Sequence, residues 1–130
     1  PIFKTEAVSF IKMFSENMYN LDAASAVEKI AVFSSLLSTD LWTSEEPKLV
    51  NLAATLKKDG IYFKSSLRSI NLLPDGKYEV DIDMTQTARG YDQKKKVKLI
   101  LELQRQDRTA INPYGLVVNS YTEKIESLTN

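Results

Sequence analysis

The sequence contains no cysteine and no histidine in its 130 residues. Without thiols it has no disulfide, no thiolate nucleophile and no Cys-based zinc or iron–sulfur site, and without imidazole it lacks the usual general base and the commonest metal ligand. No cofactor is therefore expected. Neither sign of charge prevails: 17 Lys+Arg against 17 Asp+Glu give a formal net charge of 0. The basic excess through which counterion release drives nucleic-acid binding is missing, so direct tight binding of nucleic acid is not expected. Long apolar runs are absent as well. The longest, Ile30 to Phe33, has four residues, against the ~20 that a membrane helix needs, and no targeting segment is visible. Lack of cysteine suits the cytosol and an oxidising space equally. The chain opens on Pro1 rather than Met, which reads as a processed product or a piece of something longer. What is present is 43% hydrophobic residues. A folded chain of this size hides roughly two-thirds of its unfolded surface, enough for one core, so a single domain over residues 1–130 is expected.

Periodicity divides the chain in two. Phe3, Ala7, Phe10, Ile11, Phe14, Met18 and Leu21 recur every three or four residues and predict a helix over about residues 3–20. Asp22 then suits an N-cap for a second helix with the stripe Ala23, Val27, Ile30, Ala31 and Leu37, fraying through Ser34, Ser35, Ser38 and Thr39. Thr43 or Ser44 caps a third, with Glu45, Glu46 and Pro47 in its first turn, Leu49, Leu52, Ala53 and Leu56 on its buried face, and Lys57, Lys58 and Gly60 at its end. After Gly60 the period changes to two. Residues 61–73 switch parity near Arg68, which predicts a bulge. Pro74-Asp75-Gly76 makes a turn, and Tyr78, Val80, Ile82 and Met84 alternate with charged residues. Thr85 to Gln93 reads as a polar connection, Val97 to Leu103 as a third strand, and about residues 114–126 as a fourth. Three helices followed by a four-stranded antiparallel sheet define an α+β architecture with helices packed on one side of a curved sheet. A cone-shaped, nuclear transport factor two-like fold fits this order, an assignment that goes beyond periodicity.

Several clusters have two readings. Lys94, Lys95, Lys96 and Lys98, with Arg89, Arg105 and Arg108 nearby, could contact phosphate or acidic lipid, but alternate lysines also guard a strand against edge pairing. Asp81 and Asp83 share one face of a strand and could pair for a metal or for acid–base work. That face points to water, where carboxylates serve solubility. Asp40, Asp59 or Asp92 with Tyr62 or Tyr91 would suit a small isomerase- or dehydratase-type enzyme of the same fold, or a ligand-binding module, given a deep pocket. Trp42 and Tyr19 serve either as partner anchors or as plugs at the ends of a small core.

The most informative segment is Asn112-Pro113-Tyr114-Gly115-Leu116-Val117-Val118-Asn119-Ser120-Tyr121. Asn112, Pro113 and Gly115 occupy positions i, i+1 and i+3 of a type I β-turn, where Asn bonds the backbone ahead, Pro presets φ and Gly accommodates the exit. The whole string resembles the Asn-Pro-x-Gly-aromatic/aliphatic-x-Val-x-x-Tyr signature of the eighth VirB protein family, the bitopic inner-membrane subunit of type IV secretion systems. Glu16 to Ser35 is similar to that family's first-helix end, Asp-containing loop and second helix running into a Ser-Ser pair, and the resemblance covers about residues 3–122. The chain departs from the family after Tyr121, with Thr122-Glu123-Lys124-Ile125 in place of an Arg-containing, Asp-Pro-Glu-like tail, as expected of a more distant branch. The resemblance implies a non-catalytic assembly subunit of a secretion or conjugation channel. It would be a periplasmic domain whose transmembrane helix and short cytoplasmic tail lie upstream, held at the inner membrane and working through contacts with other channel subunits and as a weak homodimer. It points to Phe3 and Glu6 as a self-association surface and to Tyr121 as a partner contact; the other reading of Tyr121 is a ring that covers the sheet edge.

Overall fold

Apolar spacing and caps decide where the helices lie. A computed structural model of the chain describes residues 4–128; Phe3 falls outside them. Helix α1 (Lys4–Tyr19) buries Ala7, Phe10, Ile11 and Phe14, as its spacing predicts, and Tyr19 as well, while Met18 of the expected stripe is half-buried. Helix α2 (Ala26–Leu36) differs from the expectation. Asp22 accepts the Ser25 N–H at 2.7 Å as a capping side chain would, yet residues 23–25 form a turn and the helix opens at Ala26. Its buried face is Ala26, Phe33 and Leu36. Ala23 and Ala31 of the expected stripe are exposed, and Val27 is 75% exposed. The large Phe33 and Leu36 gain more from burial than the smaller residues, so they set the rotation of the helix. Leu37 is the extended C-cap, and its backbone bridges to Val118.

Helix α3 (Thr39–Asp59) starts a turn earlier than the Thr43 or Ser44 cap would place it. Ser38 is its N-cap, with Oγ accepting the Leu41 N–H at 3.4 Å, and Pro47 therefore sits inside the helix. An interior proline costs about 3 kcal/mol. The early start places Leu41 and Trp42 against the core, a gain that a helix beginning at Thr43 would forgo. The far end is as expected: Lys57 and Lys58 occupy the last turn, and Gly60 takes the left-handed conformation at φ 62°.

Four antiparallel strands follow in meander order: β1 (Ile61–Leu72), β2 (Tyr78–Ala88), β3 (Tyr91–Arg105) and β4 (Leu116–Ser127). The bulge expected near Arg68 lies between Leu67 and Ser69. Residues 85–93, by contrast, are no loop. The β2–β3 ladder continues through Gln86 and Gln93 to Ala88 and Tyr91, and it closes on Arg89-Gly90 with φ of 52° and 82°. Two positive φ values give the mirror-image turn whose twist matches the flanking strands. Threonine and glutamine carry no apolar alternation, so the ladder here was silent in the pattern.

The inner face of the sheet presents Val80, Ile82, Val97, Leu99 and Leu101 to Phe10, Phe14, Phe33 and Leu36 of the helices, in one continuous core. Leu21, Ala26 and Leu56 form a second, smaller cluster. The lysine run lies on β3, which is an interior strand, so it guards no edge. Lys96 and Lys98 stand opposite Asp83 and Asp81 on β2. The outer face is thus a charge-paired surface, with Arg68 3.4 Å from Asp83 and Lys98 3.3 Å from Glu79.

Candidate functional site

The Asn112 turn is built into the core. Asn112 is fully buried, and its Nδ2 donates to the carbonyls of Ser35 at 2.9 Å and Leu116 at 2.6 Å. One amide therefore ties the end of α2 to the start of β4 across 77 residues of sequence. The Gly115 N–H reaches back to the Asn112 carbonyl at 3.4 Å, as the turn reading predicts. Gly115 has φ 65°, and a Cβ there would meet Arg108 Cγ at 2.9 Å and the Gln106 carbonyl at 3.1 Å. Both backbone conformation and space thus require glycine.

Glu6 lies beside this turn. Its carboxylate accepts from Arg105 at 3.1 Å and from Arg108 at 3.2 Å, and Arg108 also donates to the Pro113 carbonyl at 3.2 Å. The first turn of α1 and the β3–β4 connection are joined at a half-exposed corner, where such ion pairs set geometry more than stability. The sequence reading noted both arginines as basic neighbourhood and missed that Glu6 holds them, because the partners lie 99 and 102 residues away.

Tyr121 faces the other way, into a groove of about 270 Å³ between the end of α1, the middle of α3 and β4, floored by Met18, Leu49, Leu52, Phe63 and Met84. Its half-buried ring packs edge-on to Phe14 at 6.5 Å, and its hydroxyl donates to Glu45 at 3.0 Å. Beside it the Tyr19 hydroxyl donates to Glu123. Tyr19 plugs the core, in keeping with one of its two readings, and Trp42 packs half-buried against the same cluster. The groove is therefore apolar inside with two phenol–carboxylate pairs at its rim. Glu45 and Glu123 left no local trace in the sequence, since each meets its tyrosine from a distant element.

Burial, and then the neighbouring carboxylate, push the phenols of Tyr19 and Tyr121 above the usual tyrosine value. The native state thus holds these two protons through the pH range in which an unfolded chain releases them. The stabilisation they carry is complete below pH ~10 and is lost as pH rises above it. An alkaline titration followed by phenolate absorbance should show these two of the six tyrosines ionising together with the loss of far-ultraviolet circular dichroism. Tyr19→Phe/Tyr121→Phe should remove that cooperative part.

Of the residues of the enzyme reading, Tyr62 and Asp92 flank Thr87 in one row of the sheet, and none of the three acids is buried. Asp40 opens α3, Asp59 ends it, and Asp92 lies at the start of β3, where it accepts from Thr87 at 2.7 Å. Tyr62 and Tyr91 are exposed. Among the described residues the buried polar side chains are Ser15, Thr87 and Asn112, none of them acidic. Asp81 accepts from Ser69 at 3.0 Å, and Asp83 is paired with Arg68. No helix among the described residues is long and apolar enough to cross a membrane.

Three helices on one face of a four-stranded antiparallel meander place the chain in the nuclear transport factor two-like class of α+β folds. No protein-family model and no curated protein matches the sequence. Solved structures do. VirB8 of Agrobacterium tumefaciens superposes with a TM-score of 0.81 at 15% identity, over 100% of this chain and 99% of that one. The soluble domain of the TrwG type IV secretion machinery from Bartonella grahamii gives 0.72 at 15% identity over 100% of both chains. The periplasmic domain of DotI gives 0.75 at 10% identity over 94% of this chain and 95% of its own. At these identities the likeness is one of fold, and it is the fold that the Asn112–Tyr121 string led us to expect.

Proposed function

We propose that this chain is an assembly part of a type IV secretion or conjugation channel, a periplasmic domain that works through protein contacts at the inner membrane without chemistry of its own. The observation that carries the reading is the end-to-end superposition on VirB8, joined to an independent sequence signal, the Asn112–Tyr121 string. Two shape-dependent features suit such a role. The Glu6–Arg105–Arg108 corner is a polar surface at the start of α1, where we place a self-contact; the Tyr121 groove presents an amphipathic ring of the kind that anchors partners. A domain of this kind associates weakly with itself when separated from its membrane anchor, so its oligomeric state depends on concentration.

The test uses a strain lacking the gene, with transfer or secretion as the readout. Wild-type protein should restore transfer, and Tyr121→Ala should lower it by about tenfold or more, as loss of a hot-spot aromatic does, while the variant keeps its circular dichroism. Tyr121→Phe, which retains the ring and loses only the bond to Glu45, should fall between. Full transfer without the gene would reject the channel role. Unfolding of both Tyr121 variants would make the ring structural and reject it as a partner contact.

A further inference from the structure

The two edges of the sheet are finished differently. At the β1 edge, Phe63 exchanges backbone hydrogen bonds with Leu21, the Asn20 side chain accepts the Ser65 N–H at 2.9 Å, and a bulge interrupts the strand at Arg68. These are devices that prevent a further strand from adding. At the β4 edge the backbone cover among the described residues is at one end, where the Ser38 N–H donates to the Val118 carbonyl at 2.9 Å. From Tyr121 to Ser127 the strand is regular, contains no proline, and is paired with β3 alone. The Leu128 N–H donates to the Lys94 carbonyl. By the alternation of an antiparallel ladder, Glu126, Lys124 and Thr122 therefore turn their backbone groups toward β3, and Ser127, Ile125, Glu123 and Tyr121 turn theirs outward. Among the described residues nothing bonds to that outward row. Ile125 and Leu128 beside it are 45% and 51% exposed.

We propose that a second copy of this chain occupies this edge, β4 antiparallel to β4 about a two-fold axis normal to the sheet at Ile125, so that two four-stranded sheets become one. The charges of the strand choose both occupant and register. A two-fold axis at any residue sets that residue opposite itself. An axis at Glu123 or Glu126 opposes two carboxylates, one at Lys124 opposes two ammonium groups, and one at Thr122 pairs no opposite charges. With the axis at Ile125, isoleucine meets isoleucine on the inner face, and Lys124 stands opposite Glu126 twice on the outer face. The edge is complementary to itself in this register. Val118, where the α2–α3 junction leans on the strand, stands ~23 Å from the axis by strand rise, clear of the pairing. A contact of one strand buries less than the ~1,200 Å² of a stable interface, so the pair forms at high protein concentration or when copies are held together. This surface is separate from the Glu6 corner and does not depend on the secretion role.

Sedimentation of the 130-residue chain over rising concentration at low salt tests it. The wild-type chain should move toward dimer mass. Lys124→Glu opposes two carboxylates across the axis and should weaken association by about tenfold. Within its own sheet Lys124 faces Lys98, so the same change replaces a like-charge pair by an attractive one and the variant should melt no lower than wild type. Lys124→Glu/Glu126→Lys reverses both members and should restore association. Ile125→Pro removes an outward N–H that the fold does not use, a substitution edge strands tolerate, and should abolish it. A wild-type chain monomeric at every concentration, a Lys124→Glu variant that associates as well as wild type, or a double variant without rescue each overturns the proposal. If Ile125→Pro fails to fold, the charge series decides alone. In a Glu6→Ala background, which removes any self-contact at that corner, the Lys124 and Glu126 variants should change association as they do in the wild-type chain; association that is lost with Glu6→Ala and indifferent to Lys124→Glu would place the dimer at that corner and overturn the proposal.

Discussion

Asn112→Asp is expected to cost the protein a large part of its stability at neutral pH, although it changes one amide nitrogen to oxygen. The buried Nδ2 serves two carbonyls, Ser35 and Leu116, and Oδ1 is buried without a partner. A carboxylate would set negative oxygen against both carbonyls in a site closed to water, and an unpaired buried charge costs about 3–5 kcal/mol. That is a large share of the stability of a small domain, about 5–15 kcal/mol. Because burial raises the pKa of such a carboxyl, folding would bind a proton. The deficit should be full above the raised carboxyl pKa and shrink as pH falls from there toward the ordinary aspartate value, where the protonated group can donate to one carbonyl again. Asn112→Ala should cost less, about 2–3 kcal/mol, since two carbonyls lose their donor while the orphaned Oδ1 disappears as well. Urea unfolding of the three proteins at neutral and acid pH measures this. An Asn112→Asp variant as stable as wild type at neutral pH would show that the amide does not staple α2 to β4.

Phe14→Ala is expected to lower the unfolding free energy by about 3–5 kcal/mol. The ring is 1% exposed and sits at the junction of the helical layer and the sheet. It contacts Phe10 at 6.3 Å, Phe33 edge-on at 5.7 Å and Tyr121 edge-on at 6.5 Å. Truncation removes the transfer free energy of a whole ring and the aromatic contacts with it, and three helical and sheet elements cannot close on the space together. Tyr121 would lose the surface against which its ring lies, so if Tyr121 is the partner contact proposed above, the variant should impair transfer even under conditions where it remains folded. Phe14→Leu should retain most of the stability. Equal midpoints in urea for Phe14→Ala and wild type would contradict this account of the core.

Elements with one strong periodic signal were legible. The α1 stripe, the Met84 strand, the bulge at Arg68, the glycine cap at Gly60 and the Asn112 turn all stand where the pattern put them, because each is decided by neighbours within a turn or a few residues. The misses share the opposite cause. The rotation of α2 was settled by Phe33 and Leu36 meeting a distant sheet, the early start of α3 by Leu41 and Trp42 reaching the same core, and the 85–93 hairpin by pairing in a stretch with no hydrophobic period. The edge-guard reading of Lys94, Lys95, Lys96 and Lys98 fails because it needs strand order, and strand order is not a local property.

Composition and spacing by themselves determined the class of the molecule: one small core, three helices before four strands, no thiol or imidazole chemistry, and a rigid turn launching the last strand. The fold class follows because hydrophobic period and turn residues act over short distances along the chain. Tertiary structure alone decided which groups face one another. It set Glu6 between two arginines, put Tyr19 and Tyr121 on carboxylates from other elements, turned the Asn112 amide into a bridge between a helix and a strand, and left the outer row of β4 from Tyr121 to Ser127 without a backbone partner among the described residues. Those pairings join residues tens of positions apart, and only the closing of helices onto the sheet brings them within bonding distance.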